Sequence, residues 1–382
     1  MRICHLCLHG PYNEGWNYQE NILPKYHSLG GHDVFQIVTP YMWEKDKIVI
    51  SKDKEYTNEN GVKITRCNLS KGITFGGRIT HYPEVKGLLE KINPEILFIH
   101  DVQCMDIITV VKYLKKHRDC IVYVDNHSDF SNSARNWISK NILHKILWRH
   151  MAKAINPYVK KFYGVLPARV DFLVDVYKLP KEKCSLLIMG ADDEFVKKAL
   201  CDSEIKKTKE KFGISEKKFI IVTGGKIDLA KTQTLLLMEA VKNIGNQVEL
   251  VVFGSIAQEL QEKFDALCKA DNIHYAGWLS SEDSYKVFAA GDLVVFPGRH
   301  SVYWEQVAAL GKPVVLKYWA GTEHIDAGGN VQYLFNDSAV EIEEVIRKII
   351  SNENYEMMKR IAIKNSSRFL YSEIAKNSID EY

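Results

Sequence analysis

The chain has 382 residues, of which 46% are hydrophobic, and a formal net charge of +3 at pH 7. This length suits two domains better than one, and the apolar fraction is large enough to build a core in each. The small net charge excludes a chain that is strongly basic throughout, so we expect no nucleic acid as a partner.

The chain begins with the apolar strand pattern RICHLCL, not with a charged segment, a long apolar run and a small-residue cleavage site. No secretory signal or bilayer-spanning run is therefore predicted, and we expect a cytoplasmic protein. Cys4 and Cys7 form a C-x-x-C pair inside this strand, where alternation points them to opposite faces. We interpret them as buried free thiols, not as a redox or metal pair.

Short apolar runs alternate with helical patterns along most of the chain, which predicts parallel α/β sheets. The runs RICHLCL, DVFQIVT, ILFIH and CIVYVD predict a first sheet, and FIIVTGG, VELVVFGS, IHYAGW, DLVVFPG and PVVLKY predict a second. Helices are predicted near residues 83–92, 233–243, 258–270 and 282–290. We therefore predict two Rossmann-like domains that face a central cleft, residues 1–190 and 191–360, and a C-terminal helix within 361–382 that packs back on the first domain.

Polar residues follow several strands of the first predicted domain. Gly10 and Gly15 lie in a loop between the first strand and a helix, where glycine lets the backbone approach a ligand; an ordinary strand–helix turn explains them equally well. His100 ends the strand ILFIH, and Asn126 and His127 follow the strand CIVYVD. Because open α/β sheets bind ligands at the carboxyl ends of their strands, these side chains are candidate ligand contacts. The alternative is that the histidines bond nearby backbone.

The segment between Asp129 and Asp171 contains no Asp or Glu. Its isoleucines recur at helical spacing, and the basic and aromatic residues of the predicted helix include Lys140, Lys145, Trp148, Arg149 and Lys153. A basic helix with interfacial aromatics is typical of a protein that binds an anionic bilayer surface. A helix that packs on its own core and a basic RNA-binding face are the alternatives.

The segment FIIVTGGKIDLAKTQ combines a strand with two glycines and two lysines: Gly224, Gly225, Lys226 and Lys231. Cations and close backbone approach are what a diphosphate requires, so the pattern predicts a phosphate-binding turn. The alternative is the P-loop of an NTPase or kinase. The sequence G-x-x-x-x-A-K-T differs from that motif at one residue, since Ala230 replaces its second glycine.

The segment VVFPGRHSVYWEQVAALGKPVV predicts a strand, a polar loop, a helix that begins near Trp304 and a second strand. Its candidate ligand contacts are His300, Ser301, Val302, Tyr303 and Glu305. A solvated Glu at an ordinary helix N-terminus is the alternative for Glu305. The following segment TEHIDAGGN either closes over a ligand or forms a glycine-rich turn.

Together these segments resemble the GT-B glycosyltransferases, most closely glycosyltransferase family 4, over nearly the whole chain. TGGKIDLAKT is similar to the family's G-R-x-x-x-x-K-G phosphate motif, with Lys226 at its Arg and Lys231 at its Lys. EQVAALGKPVV is similar to E-A-x-A-x-G-x-P-V-V and places Glu305 on the residue that usually holds the nucleotide ribose. His127 is similar to the family's cleft histidine near the reacting sugar, and Gly15 lies in the loop that matches its first-domain glycine loop.

The chain departs from the family at the first of its two glutamates, which normally contacts the donor sugar. Pro297 falls at that position by direct count, and His300 or Ser301 is the candidate substitute. Lys226 keeps the charge of the family's Arg but not its bidentate fork.

The resemblance implies a retaining hexosyl- or N-acetylhexosaminyltransferase that needs no metal or other cofactor. Its donor would be a nucleotide-diphosphate sugar, a UDP-sugar in preference to a GDP-sugar. Its acceptor would be a saccharide or lipid-linked molecule in bacterial capsule, O-antigen or exopolysaccharide assembly. The basic segment would place it on the inner face of the cell membrane. A P-loop-like NTPase or kinase and a non-catalytic nucleotide-sugar-binding protein are the alternative functions.

Overall fold

The computed structural model describes residues 1–44, 47–68, 79–214, 217–351 and 354–380. The chain divides into two compact units, Met1–Ile188 with Ile374–Tyr382, and Met189–Glu373. The predicted division lay between residues 190 and 191.

The first unit is built on an eight-stranded sheet with a separate two-stranded hairpin. Its strands are β1 (Arg2–Cys7), β2 (Asp33–Val38), β3 (Tyr41–Glu44), β4 (Lys47–Ile50), β5 (Glu55–Thr57), β6 (Lys63–Arg66), β7 (Ile96–His100), β8 (Ile121–Asn126), β9 (Val159–Gly164) and β10 (Cys184–Leu186). Its helices are α1 (Gln19–Leu29), α2 (Val85–Ile92), α3 (Ile107–Leu114), a π-helix (Ser139–Trp148), α4 (Arg149–Ile155), α5 (Pro167–Asp175) and the short 3₁₀ turns Asn156–Tyr158 and Lys181–Lys183. The sheet order is β10-β9-β8-β7-β1-β2-β6-β5, and β3 pairs with β4.

The second unit contains a six-stranded sheet in which every pair is parallel. Its strands are β11 (Phe219–Gly224), β12 (Val248–Phe253), β13 (Ile273–Tyr275), β14 (Leu293–Phe296), β15 (Val314–Lys317) and β16 (Val331–Leu334). Its helices are α6 (Asp193–Ala199), α7 (Asp202–Lys211), α8 (Gln233–Ile244), α9 (Gln261–Leu267), α10 (Ser281–Ala290), α11 (Tyr303–Ala309), α12 (Ala339–Ile350), α13 (Asn354–Asn365) and the 3₁₀ turns Gln258–Leu260, Glu323–Ile325 and Ser366–Phe369.

Both sheets show the strand order of the Rossmann fold. In the second unit the order β13-β12-β11-β14-β15-β16 is the 3-2-1-4-5-6 arrangement, with the reversal between β11 and β14. In the first unit the corresponding reversal lies between β1 and β7. The predicted α/β class with two Rossmann-like domains is confirmed.

The nine predicted strands are all present, because central parallel strands are buried on both faces and therefore read as continuous apolar runs. β7 is buried at all five of its residues. The strands that the sequence pattern missed are short or polar. Among them, β9 lies within the basic segment that was predicted to be helical.

Cys4 and Cys7 are both free and buried, as predicted. Their side chains join different apolar clusters, which agrees with alternation along β1. The C-terminal segment forms α13, a 3₁₀ turn and α14 (Tyr371–Ser378), instead of one helix. Among the helices that the structure describes, none has the length and apolar character that a bilayer crossing requires.

Candidate active site

The carboxyl ends of β1, β7 and β8 bring three polar side chains together in the first unit. His9, Asp101 and His127 line two pockets, of about 230 Å³ and 310 Å³, that share these residues. The first pocket is also lined by Cys7, Gly10, Pro11, Tyr12, Tyr18, Glu20 and His100. The second is also lined by Gln103, Ser128, Asn132, Ser133, Ser139, Leu143, His144 and Trp148. The hydroxyl, amide and imidazole groups of the second pocket suit a ligand rich in hydroxyls.

Asp101 adopts a left-handed backbone conformation, with φ of 70°. Its carboxylate oxygens accept bonds from the Gln103 amide at 3.2 Å and from Gln103 Nε2 at 2.9 Å. Burial raises the pKa of Asp101, while His9 and His127 lower it. A non-glycine residue in this region is sparsely populated and is held there only by its surroundings, as occurs most often at functional sites.

Asp125, next to the last residue of β8, lies beside His127. Its Oδ2 accepts a bond from His100 Nδ1 at 2.7 Å, and its Oδ1 accepts one from the Asp101 amide at 3.1 Å. His127 Nε2 lies 3.4 Å from the same Oδ2. Burial raises the pKa of Asp125, but His100 and His127 outweigh it and hold that pKa well below its usual range. The carboxylate is therefore ionised and faces the 30% exposed ring of His127.

In the second unit, the turn after β11 is packed backbone against backbone. Gly225 has a φ of 122° and donates its amide to the Phe253 carbonyl at 3.1 Å. A Cβ added to Gly254 would lie 1.9 Å from the Gly225 oxygen. This packing fixes the turn that carries Lys226 at the carboxyl end of the sheet.

The two lysines of this turn differ in exposure. Lys226 is 70% exposed, and its Nζ lies 3.7 Å from Asp228. Lys231 is half-buried, and burial lowers its pKa, with a raising contribution from Asp228 and a lowering one from Lys226. The Lys231 stem lies against the loop after β14, since a Cβ on Gly298 would be 3.8 Å from Lys231 Cγ. The structure thus brings Lys231 beside the loop that contains His300.

The same turn is not a P-loop, because its amides are already used within the protein. The amides of Ile227 and Lys231 donate to the carbonyls of Ser255 and Asp228, both at 2.8 Å. The Ala230 amide donates to Asp228 Oδ1 at 3.0 Å. A P-loop directs such amides at phosphate, so the geometry opposes the NTPase or kinase alternative.

Glu305, in the first turn of α11, is fully buried. Its Oε1 accepts bonds from His300 Nε2 and His324 Nε2, both at 2.8 Å. Its Oε2 has no hydrogen-bond partner among the described residues. Burial raises the pKa of Glu305, but His300 and His324 hold it at about 2. One carboxylate therefore fixes two imidazoles, of which His300 is 11% exposed.

The loop before α11 connects Glu305 to the glycine turn. Ser301 Oγ accepts a bond from the Tyr303 amide at 3.3 Å, so this amide is engaged within the loop. The Tyr303 ring lies 3.7 Å from the position of a Cβ on Gly225. In the segment TEHIDAGGN, Asp326 Oδ1 accepts two glycine amides at 2.9 Å, so this segment forms a glycine-rich turn and contributes His324.

Two described groups could each offer three ligand atoms to a metal ion: His100, Asp125 and His127, and His300, Glu305 and His324. Hydrogen bonds between imidazole and carboxylate, at 2.7–2.8 Å, already account for the compactness of both groups.

The π-helix and the two residues before it expose four large apolar side chains. The exposed fractions are 69% for Trp137, 61% for Ile138, 44% for Ile142 and 63% for Ile146. With their neighbours they form a groove of about 1090 Å³, lined by Ile79, Ile138, Ile142, Leu143, Lys145, Ile146, Leu147, Arg149, His150 and Lys153. In the part of the chain that the structure describes, the apolar stripe therefore faces outward, against the alternative that it packs on its own core.

Residues 204–368, which lie within the second unit, match the family model described as Glycosyl transferases group 1. The protein is a glycosyltransferase. No curated protein sequence matches the chain.

Solved structures, among them two glycosyltransferases, share the fold of this chain. A glycosyltransferase from Rickettsia africae superimposes with a TM-score of 0.69 at 14% identity, over 99% of this chain and 97% of that one. HepE of Anabaena, solved with UDP, gives 0.69 at 15% identity, over 99% and 98%. WaaG, a glycosyltransferase involved in lipopolysaccharide biosynthesis, gives 0.62 at 15% identity, over 100% of both chains. This likeness establishes the GT-B fold.

Several predicted contacts of the glycosyltransferase have their polar atoms engaged within the protein. Asn126 is fully buried, and its side-chain amide bonds the carbonyls of Ser128 and Arg169. Both ring nitrogens of His100 bond other side chains, although the ring lines the first pocket. These bonds engage both ring nitrogens of His100 and the side-chain amide of Asn126, and the contact of these residues with an acceptor or sugar stays a prediction.

Other corrections concern burial. Glu305 is fully buried, so this geometry opposes its predicted direct contact with a ribose. The side chain of His300, which bonds it, is 11% exposed. The prediction that Trp148 contacts a membrane is wrong, because it is 2% exposed and packs in the core of the first unit. Gly15 does not line either pocket, whereas Gly10 does.

His9 and Asp101 were not among the predicted ligand contacts. Both follow strands of the first sheet, so applying the strand-end argument to each residue there would have found them. Nothing in the sequence predicted that His324, nineteen residues after Glu305, bonds its carboxylate.

Proposed function

We propose that the enzyme is a retaining, metal-independent member of glycosyltransferase family 4 that uses a UDP-sugar. The observation that carries the donor site is the placement of Lys226 and Lys231 at the end of β11, with Lys231 against the loop that contains His300. HepE, with the same fold at 15% identity, was solved in complex with UDP. Cations at this strand end would neutralise a diphosphate.

In the proposed reaction, the bond between the sugar C1 and the diphosphate oxygen breaks, and the acceptor hydroxyl oxygen bonds C1 on the same face. The hydroxyl proton passes to the departing diphosphate. Lys231 stabilises the negative charge that develops on this leaving group, which is usually the largest catalytic contribution of such a site. His300 contacts the donor and is held by Glu305.

The pockets around His9, Asp101 and His127 would bind the acceptor and the reacting sugar. Their lining offers hydroxyl and amide groups from Ser128, Asn132 and Ser133, which suit a saccharide. His127, whose Nε2 lies 3.4 Å from Asp125, would contact the sugar near its reacting carbon. A transferase of hexosyl or N-acetylhexosaminyl groups in bacterial polysaccharide assembly is the role we propose.

Binding of nucleotide sugars tests the donor assignment directly. We expect UDP and one or more UDP-sugars to raise the Tm in the presence of EDTA, because a ligand stabilises a protein by RT ln(1 + [L]/Kd). GDP-sugars and ATP should raise it less. The same UDP-sugar, radiolabelled, should yield a glycosylated product with a suitable acceptor. A magnesium-dependent response to ATP alone would contradict the proposal, and donor binding without any product would favour a non-catalytic binding protein.

We also propose that the enzyme docks on the inner face of the cell membrane through the π-helix. Trp137, Ile138, Ile142 and Ile146 are exposed together, and Lys145, Arg149 and Lys153 lie on the same groove. Exposed apolar side chains beside basic ones suit a bilayer with anionic headgroups. Three basic residues contribute roughly 3 kcal/mol near such a surface, which corresponds to about a hundredfold preference for anionic over zwitterionic vesicles.

We predict that the double change Ile142→Glu and Ile146→Glu abolishes co-sedimentation with vesicles of phosphatidylglycerol and phosphatidylcholine. The two new carboxylates would lie against the negatively charged vesicle surface, which repels them. The matched control is Ile48→Glu with Ile50→Glu on β4, since those side chains are 52% and 53% exposed in the same unit. Equal vesicle binding by the two double variants, or no binding by the unmodified enzyme, would contradict membrane docking at this helix.

A further inference from the structure

The carboxylate of Asp101 lies where the two pockets of the first unit meet. Three residues line both pockets, and Asp101 is the acidic one among them, since the others are His9 and His127. Burial raises the pKa of Asp101, whereas His9 and His127 each lower it, which places the carboxylate near both rings. Asp101 is 4% exposed, and it meets the two pockets with this small exposed part.

Gln103 fixes this carboxylate through both of its oxygens. The backbone amide of Gln103 donates to Asp101 Oδ1 at 3.2 Å, and its Nε2 donates to Oδ2 at 2.9 Å. The same Nε2 also donates to Ser128 Oγ, and the Gln103 carbonyl lies 3.1 Å from His9 Nδ1. Gln103 is itself 4% exposed. One buried residue therefore holds three lining residues of the pockets in a fixed arrangement.

These contacts leave Asp101 able to accept further hydrogen bonds. An ionised carboxylate has about four acceptor positions on its two oxygens, and Gln103 occupies one position on each oxygen. The left-handed backbone of Asp101, with φ of 70°, is held by its own amide, which donates to Asp125 Oδ1 at 3.1 Å. A strained residue that the surrounding bonds keep in place is typical of a functional site. The carboxylate is thus fixed and still has capacity for a ligand hydroxyl.

We propose that Asp101 is a catalytic residue that binds the reacting hydroxyl of the acceptor. Its place beside His127, at the point that both pockets share, is where a hydroxyl must lie to reach the reacting sugar carbon. Glu20, the other carboxylate that lines a pocket here, lines the first pocket alone. This role rests on the proposed function, because that function supplies the hydroxyl nucleophile and places His127 near the reacting carbon.

In the transfer step, Asp101 accepts a hydrogen bond from the acceptor hydroxyl and takes no proton. The hydroxyl oxygen bonds the sugar C1 while the bond between C1 and the diphosphate oxygen breaks, and the hydroxyl proton passes to the departing diphosphate. The hydroxyl oxygen becomes more positive as it bonds C1, so its hydrogen bond to a carboxylate strengthens on the way to the transition state. Because only interactions that strengthen in this way accelerate the chemical step, the contact raises kcat.

Asp101→Asn tests this role, because asparagine keeps the shape of the side chain and tolerates the left-handed backbone. The donor is the UDP-sugar that raises the Tm most, and the acceptors are p-nitrophenyl glycosides of glucose, galactose and N-acetylglucosamine. We expect kcat to fall about 10- to 100-fold, the scale of one lost hydrogen bond to a charged group, while the Kd for the UDP-sugar is unchanged. Asp106→Asn is the matched control and should leave kcat unchanged. Asp106 is a buried carboxylate of the same unit that accepts the Tyr82 amide at 2.9 Å and lines neither pocket.

Asp101→Gly provides a second variant if the asparagine variant does not fold. Glycine adopts a positive φ without strain and carries no carboxylate, so this variant should fold and lose at least as much kcat as Asp101→Asn. Full kcat in either folded variant, or a loss no larger than that of Asp106→Asn, would overturn the role of Asp101 while transfer by the unmodified enzyme upholds the proposed function. If the unmodified enzyme transfers sugar to none of these acceptors, the proposed function fails and the role of Asp101 fails with it.

Discussion

Replacing Lys231 with alanine is expected to lower kcat for sugar transfer by about 10²–10³-fold, the usual cost of removing one group that stabilises developing negative charge. Lys231 is half-buried against the loop after β14, so water cannot replace its charge as readily as it could at an exposed position. Release of nucleoside diphosphate, measured under saturating donor and acceptor, gives kcat directly.

Two further lysine variants make this result specific. Lys231→Arg keeps the charge and should retain more activity than alanine. Lys242→Ala, at an exposed position on α8, should leave kcat unchanged. Lys226→Ala should have a smaller effect than Lys231→Ala, because Lys226 is 70% exposed. Undiminished turnover in a folded Lys231→Ala enzyme would remove the diphosphate assignment from this turn.

Replacing Gly254 with alanine is expected to destabilise the second unit by about 3–6 kcal/mol, from overpacking and backbone strain together. The new Cβ would meet the Gly225 carbonyl oxygen at 1.9 Å and its carbon at 2.7 Å, and φ at Gly254 is 125°. Neither contact is with a flexible side chain, so the turn that carries Lys226 must shift. The loss is a large share of the 5–15 kcal/mol that typically stabilises a domain.

Urea unfolding followed by tryptophan fluorescence measures this loss. Gly277→Ala is the matched control, because its φ is 74° but a Cβ there would meet nothing within 4 Å. Gly277→Ala should lower the free energy of unfolding only through backbone strain, by about 1–2 kcal/mol. If the two variants unfold at the same urea concentration, the close approach of Gly254 to Gly225 does not contribute to stability as described.

The features that the sequence predicted well are those with a strong local signal. Continuous apolar runs identified the central strands, since burial on both faces leaves little choice of residue. The sequence pattern also predicts the strand before Lys226 and the helix after Lys231. Both lysines therefore lie in the turn between β11 and α8.

The features that it predicted poorly depend on contacts between distant segments or on an unusual helix. Glu305 was predicted to hold a nucleotide ribose, but its Oε1 accepts hydrogen bonds from His300 and His324 instead. Trp148 was predicted to contact a membrane as an interfacial aromatic of a basic helix. In the π-helix each amide bonds five residues back, so each turn holds more residues and Trp148 falls on the buried side with Ser139 and His144.

The wall between the polar pocket and the apolar groove is a single helix, because Leu143 lines both. Ser139 and His144 face one side of it, whereas Ile142 and Ile146 face the other. A molecule with a saccharide head and a hydrocarbon tail could straddle this helix and fill both spaces at once. Recognition would then depend on how head and tail are joined, so a free oligosaccharide with the same sugars would be the poorer acceptor.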